Sequence, residues 1–219
     1  MLFSTGDKIL FTGDSVTDDG RGRPIGELST GLGHGYVDLI NSFLNVFYPH
    51  QAFRIVNTGN SGDTVVDLQR RWQRDVLDQQ PDFLSICIGI NDVWNQFQRP
   101  LQYEMHVYPD QYEQVLSELI ESVLPSLKGL ILMTPYYMER LKDDPMRARM
   151  DEYGAIVRKL AGKYNAIFVD LQAEFDNFFR YRHSSFVAWD RVHPNKVGCM
   201  IIANAFLKAV GFDISKGAM

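Results

Sequence analysis

Five short, nearly unbroken apolar runs constrain this chain most: KILFTG (8–13), FRIVNTG (53–59), FLSICIG (83–89), GLILMTP (129–135) and AIFVDL (166–171). Runs of this length without polar alternation fit strands covered on both faces, as in parallel sheets. Between and after them lie segments with apolar residues at helical spacing, at roughly 35–48, 64–79, 110–124, 146–164 and 195–209. In the last of these, Val197, Met200, Ile201, Ala205 and Phe206 fall on one helical face. Pro109 and Pro194 stand where helices begin, a position that tolerates proline. Strand and helix alternating five times predict an α/β fold: a three-layer α/β/α sandwich around a mostly parallel five-stranded sheet. The chain shows no repeat, low-complexity stretch or linker, so residues 1–219 read as one domain.

Charge and cysteine content narrow the function classes. A net charge of -5 leaves no electrostatic footprint for nucleic acid. Cys87 and Cys199 each lie in apolar surroundings, without a C-x-x-C or Cys/His cluster, and read as buried reduced thiols. No H-E-x-x-H or clustered His/carboxylate spacing suggests a metal site, and no cofactor is expected. No apolar run reaches the ~18 residues that span a bilayer, and the N-terminal stretch lacks the pattern of a signal peptide. Neither nucleic acid nor membrane is expected as a partner, and a cytoplasmic location is.

Two connections exceed the few residues usual in such folds: 16–34, with five glycines, and 90–109. Both leave the carboxyl ends of expected strands, the side on which open α/β sheets bind ligands. Polar motifs collect there: Gly13-Asp14-Ser15 after the first run, NTGNSGDT (57–64) after the second and GIND (89–92) after the third, while WDRVHPN (189–195) precedes the final helix. Ser15 lacks the G-x-S-x-G elbow that often marks a catalytic serine. Taken alone it reads more readily as a turn serine, Gly62 as a turn glycine and Asn91-Asp92 as a turn and cap pair.

Together these residues contain the parts that acyl transfer from an ester needs. Ser15 supplies a hydroxyl, His193 a base, and Asp190 a carboxylate able to orient the imidazole through Nδ1. The backbone N–H groups of Ser15 and Gly62 and the side-chain amide of Asn91 are candidate oxyanion donors. His34, His50, His106 and His183 have no such company and read as structural.

As a set, these four blocks resemble those of the GDSL or SGNH hydrolases, in that family's order and separations, with Ser15, Gly62, Asn91 and His193 as the four named members. Val16 replaces the leucine that often closes the first block. The resemblance implies the flavodoxin-like SGNH fold and a serine hydrolase needing no cofactor or metal. Longer stretches (GINDVW, LMTPYYMERLKDDPMRARMDEYG and AWDRVHPN) are similar to the intracellular bacterial acetylxylan esterases. That similarity implies removal of acetyl groups from short acetylated xylo-oligosaccharides or related small carbohydrate esters. Asp14, Trp94, Trp189 and Tyr36 are the candidate substrate contacts, with Trp94 as a wall; Tyr103, Tyr108, Tyr136 and Tyr137 lie on segments that can reach the mouth. Two other readings stay open: a thioesterase or lysophospholipase with a longer acyl pocket, and a non-catalytic flavodoxin-like binding module. A homo-oligomer is compatible with the sequence, and segment 16–34 fits a lid, a subunit contact or a substrate wall.

Overall fold

The computed structural model describes residues 1–216. Its sheet contains all five expected strands: β1 (Lys8–Gly13), β3 (Arg54–Asn57), β4 (Phe83–Cys87), β5 (Gly129–Met133) and β6 (Ile167–Val169). A sixth, β2 (Gly26–Glu27), pairs antiparallel with β3. The order is β2-β3-β1-β4-β5-β6, and every other pairing is parallel. β1 and β4 are buried along almost their whole length, which is why their sequences carry apolar residues at both odd and even positions. Sequence alone missed β2 because two residues carry no periodicity; pairing with β3 defines the strand.

The expected helices form as α3 (Tyr36–Phe47), α4 (Val65–Trp72), α6 (Pro109–Val123), α7 (Pro145–Lys163) and α9 (Lys196–Ala209). α4 runs on into a π-helical turn, Gln73–Leu77, close to the expected extent. Two further helices were not expected. The segment 90–109 is not an open loop: it begins with α5 (Ile90–Gln98). α8 (Leu171–Phe179) follows β6. Segment 16–34 likewise contains two short turns of helix, α1 (Ser15–Asp18) and α2 (Leu28–Gly31), around β2. Helix contacts fall into two sets flanking the sheet: α1, α3, α9 and α8 pack in succession, as do α4, α6, α7 and α5. The product is a three-layer α/β/α fold. Among the described residues, no helix is long and apolar enough to cross a membrane.

From β1 the chain moves to β3 on one side, then crosses back to β4 on the other. This reversal opens a crevice at the carboxyl ends of β1 and its neighbours, where ligands bind in open α/β sheets. Ser15 begins two residues beyond β1, at that crevice.

Candidate active site

Gly13 ends β1 where no side chain fits: a Cβ there would lie 2.0 Å from the Cys87 carbonyl oxygen and 2.6 Å from Thr17 Oγ1. The backbone then turns into α1. The Val16 N–H donates to Asp14 Oδ1 at 3.0 Å, and the Asp18 N–H donates to the Asp14 carbonyl at 2.9 Å. This cap places Ser15 in the first helical position, half-buried, facing the loop before α9.

There it meets His193. Ser15 Oγ lies 2.9 Å from His193 Nε2, and His193 Nδ1 lies 2.6 Å from Asp190 Oδ2. With the proton on Nδ1 donated to the carboxylate, Nε2 is left to accept from the serine hydroxyl. Asp190 Oδ1 accepts the backbone N–H groups of Val192 (3.0 Å) and His193 (2.8 Å), so the carboxylate sets the turn as well as the imidazole. Burial pushes the Asp190 carboxyl up, but hydrogen bonds from the His193 ring and from these two N–H groups outweigh it and hold the acid below its ordinary range. The turn is anchored to the segment after β5: the Met138 N–H donates to the Arg191 carbonyl at 2.9 Å, the Tyr136 hydroxyl donates to the Val192 carbonyl, and the Arg191 guanidinium pairs with Glu139 at 2.7 Å. Arg191 itself has φ +65°, a left-handed conformation unusual for a residue with a Cβ.

The loop after β3 brings Gly62 to the same edge. The Asn60 N–H donates to the Gly13 carbonyl at 2.9 Å, and Ser61 binds Asp18 Oδ2 through both N–H and hydroxyl. Gly62 has φ +87°, and the position of its absent Cβ is open space, so the backbone conformation is what calls for glycine. Thr64 and Asp67 form a capping box that starts α4 immediately afterward. Asn91, 7% exposed in the first turn of α5, donates one Nδ2–H to the Asp63 carbonyl at 3.0 Å. Its second amide hydrogen has no acceptor among the described residues, nor do the N–H groups of Ser15 and Gly62. These three N–H groups therefore keep a hydrogen each that no acceptor among the described residues takes.

Sequence reasoning passed over the residues that lock this arrangement. Arg71 donates to Asp63 Oδ2 (2.5 Å), to the Thr58 carbonyl (2.5 Å), to Asp75 Oδ2 (3.0 Å) and to the Gly13 carbonyl (2.8 Å). One guanidinium thus ties the serine strand to the Gly62 loop. No local spacing announces that role, because its partners belong to three different segments.

The proposed substrate contacts divide. Trp94 stands beside the imidazole, its ring centroid 5.7 Å from that of His193, half-buried on α5. Trp189 is 93% exposed next to Asp190. Tyr36 is not at the mouth: it is fully buried, edge-on to Phe11, with its hydroxyl 2.9 Å from Thr17 Oγ1. Tyr136 is equally buried, whereas Tyr103 and Tyr108 are exposed. Asp14 is 1% exposed and serves the α1 cap, so no substrate reaches its carboxyl as the molecule stands. Burial raises Asp14 to about 7, opposed by the Val16 N–H and by His193 and Arg71.

A serine–histidine–aspartate line in the crevice of a three-layer α/β/α fold is the arrangement of a serine hydrolase. The chain belongs to the GDSL-like lipase/acylhydrolase family, whose model matches residues 11–200. It is 50% identical over 214 residues to an acetylxylan esterase of Geobacillus stearothermophilus, covering 97% of this chain and 98% of that one. The crystal structure of that organism's acetylxylan esterase Axe2 matches with a TM-score of 0.96 at 49% identity, over 98% of each chain. Axe2 has also been crystallised as catalytic mutants with a serine, an aspartate or a histidine replaced by alanine. LAE5, an alpha/beta hydrolase from the metagenome of Lake Arreo in Spain, matches with a TM-score of 0.95 at 46% identity, over 97% of this chain and 98% of its own.

Proposed function

We propose that this chain is a serine esterase that removes O-acetyl groups from short acetylated xylo-oligosaccharides or related sugar esters through an acyl-enzyme. The observation that carries the reading is the continuous line Ser15–His193–Asp190, with hydrogen bonds of 2.9 and 2.6 Å. Nε2 takes the Ser15 proton as Oγ attacks the acetyl carbonyl, and Asp190 stabilises the imidazolium that forms. The N–H groups of Ser15, Gly62 and Asn91 receive the oxyanion. As the tetrahedral species collapses, the bond from the acyl carbon to the sugar oxygen breaks and the imidazolium gives its proton to that oxygen, which leaves as a hydroxyl. Water, deprotonated by His193, then attacks acetyl-Ser15; the acyl–Oγ bond breaks, the imidazolium returns the proton to Ser15 Oγ, and acetate leaves. No metal or cofactor enters these steps. A flavodoxin-like module without catalysis would leave the hydrogen-bonded line and the three donors without a task.

Kinship with acetylxylan esterases supports the sugar ester as substrate. Trp94 beside His193 supports an aromatic wall for a pyranose face, and the exposed Trp189 fits a contact farther along an oligosaccharide. We read residues 1–219 as a single domain, supported by one sheet and one contiguous core among the described residues. A cytoplasmic location is supported by two buried free thiols. The substrate is tested by following acetate release by NMR from acetylated xylo-oligosaccharides and from other acetylated sugars, alongside octanoyl esters. Fastest release from the xylose series is expected. A clear preference for octanoyl esters instead supports a thioesterase or lysophospholipase with a long acyl pocket.

A further inference from the structure

Beneath the oxyanion donors lies a carboxyl group that the reaction does not use. Asp92 follows Asn91 in α5 and is fully buried. Its Oδ1 accepts the Val65 N–H at 3.0 Å, at the start of α4, while its Oδ2 is buried with no partner among the described residues. Successive residues of α5 therefore hold the segment that carries Gly62: Asn91 through the Asp63 carbonyl and Asp92 through the Val65 N–H. Asp92 and Asn91 together set the distance between two of the three donors.

The surroundings decide its charge. The titratable groups facing Asp92 are Asp14 from the end of β1, Asp67 from α4, Tyr112 from α6 and Tyr153 from α7. None is a cation. Asp67 is paired with Arg70 and the Thr64 cap, and Tyr112 and Tyr153 donate their hydroxyls to the Ile88 and Val107 carbonyls. Asp14 differs in facing Arg71 and His193, which compensate its anion. A carboxylate at Asp92 has two backbone N–H donors, that of Val65 and its own, and no counter-charge, so burial outweighs them and favours the neutral acid. Burial raises this group to about 8, and a charged Asp14 adds to the shift.

We propose that Asp92 is a positioning residue that works as the neutral acid: it spaces the Asn91 and Gly62 donors, and its ionisation closes the oxyanion hole by setting an uncompensated negative charge beside it. The proposal rests on Asn91 and Gly62 being the donors. It predicts an alkaline limb in kcat that His193 does not cause, because deprotonated imidazole is the active base.

The test compares Asp92→Asn and Asp92→Ala with the wild type on an acetyl ester across pH 6 to 9. In the wild type, kcat falls roughly tenfold between pH 7 and 9. In Asp92→Asn, which keeps an acceptor for Val65 and cannot ionise, the ratio of kcat at pH 9 to kcat at pH 6.5 stays within about twofold of unity. Asp92→Ala loses kcat with KM little changed, and the asparagine restores it relative to alanine. A second measurement needs neither a variant nor substrate: the carboxyl carbon of Asp92 in ¹³C-labelled wild type, followed by NMR, holds its protonated shift at pH 6 and moves near pH 8. An alkaline limb that persists in Asp92→Asn, or a carboxyl already ionised at pH 6, overturns the proposal. Because the NMR titration involves no reaction, it separates failure of this inference from failure of the esterase reading.

Discussion

Ser15 and His193 lie 178 residues apart in the chain and 2.9 Å apart at the crevice. The three proposed oxyanion donors each have a separate origin: a helix start, a loop glycine and an amide side chain. Asn91 is the most testable, because one amide hydrogen is already spent on the Asp63 carbonyl and the other has no acceptor among the described residues. Asn91→Ala should lower kcat by about 10²–10³-fold with KM little moved, as for loss of one oxyanion donor; steady-state kinetics on an acetyl ester read the split. An unchanged kcat removes Asn91 from the hole. The short motifs that carry Ser15, Asp190 and His193 were legible in the sequence, and the fold joins those three side chains in one hydrogen-bonded line; Gly62 and Asn91 stand as the donors we propose. What was not legible is orientation. Asp14 and Tyr36 flank those motifs and bear polar atoms, yet one caps a buried turn and the other satisfies its hydroxyl on Thr17 within the core.

At the scale of the elements, strands with continuous apolar runs and helices with a clear apolar stripe stood out. The failures have physical causes. α5 reads INDVWNQFQ, so its polar face of Asn and Gln resembles a turn, although Ile90 and Val93 are buried. α8 carries Leu171, Phe175 and Phe179 at four-residue spacing, all buried, with Asp170 capping through Ala173. That pattern was present in the sequence, but it follows so closely on β6 that strand and helix merged into one apolar stretch. Phe175 packs at 4.6 Å from Tyr136, the residue whose hydroxyl supports the Asp190–His193 turn. Phe175→Ala should cost about 3–5 kcal/mol of unfolding free energy, measured by urea denaturation. A loss below ~1 kcal/mol contradicts the packing described.

Across the whole molecule, buried acids of opposite behaviour shape stability. Asp14 and Asp92 are raised above their unfolded values, to about 7 and about 8. Between the ordinary carboxylate range near ~4 and those values the folded state binds more protons than the unfolded one. Their contribution is therefore full in acid and is lost as pH rises through 7 to 8. Asp190 is lowered, as are Asp18 and Asp75, where pairing with Arg23 and Ser61, or with Arg74 and Arg71, outweighs the burial that pushes each acid up. Their contribution is present above ~4 and lost as pH falls below it. Stability should thus fall at both extremes, and Asp92→Asn should flatten the alkaline side when unfolding is followed from pH 6 to 9; a slope equal to that of the wild type contradicts the burial argument.

The central claim is that one hydroxyl, held at the end of β1, performs the attack. Its most direct test is kcat of Ser15→Ala on acetylated xylo-oligosaccharides, with circular dichroism confirming the fold. The account predicts a loss on the order of 10⁴–10⁶-fold. Turnover close to that of the wild type in a folded Ser15→Ala protein contradicts it.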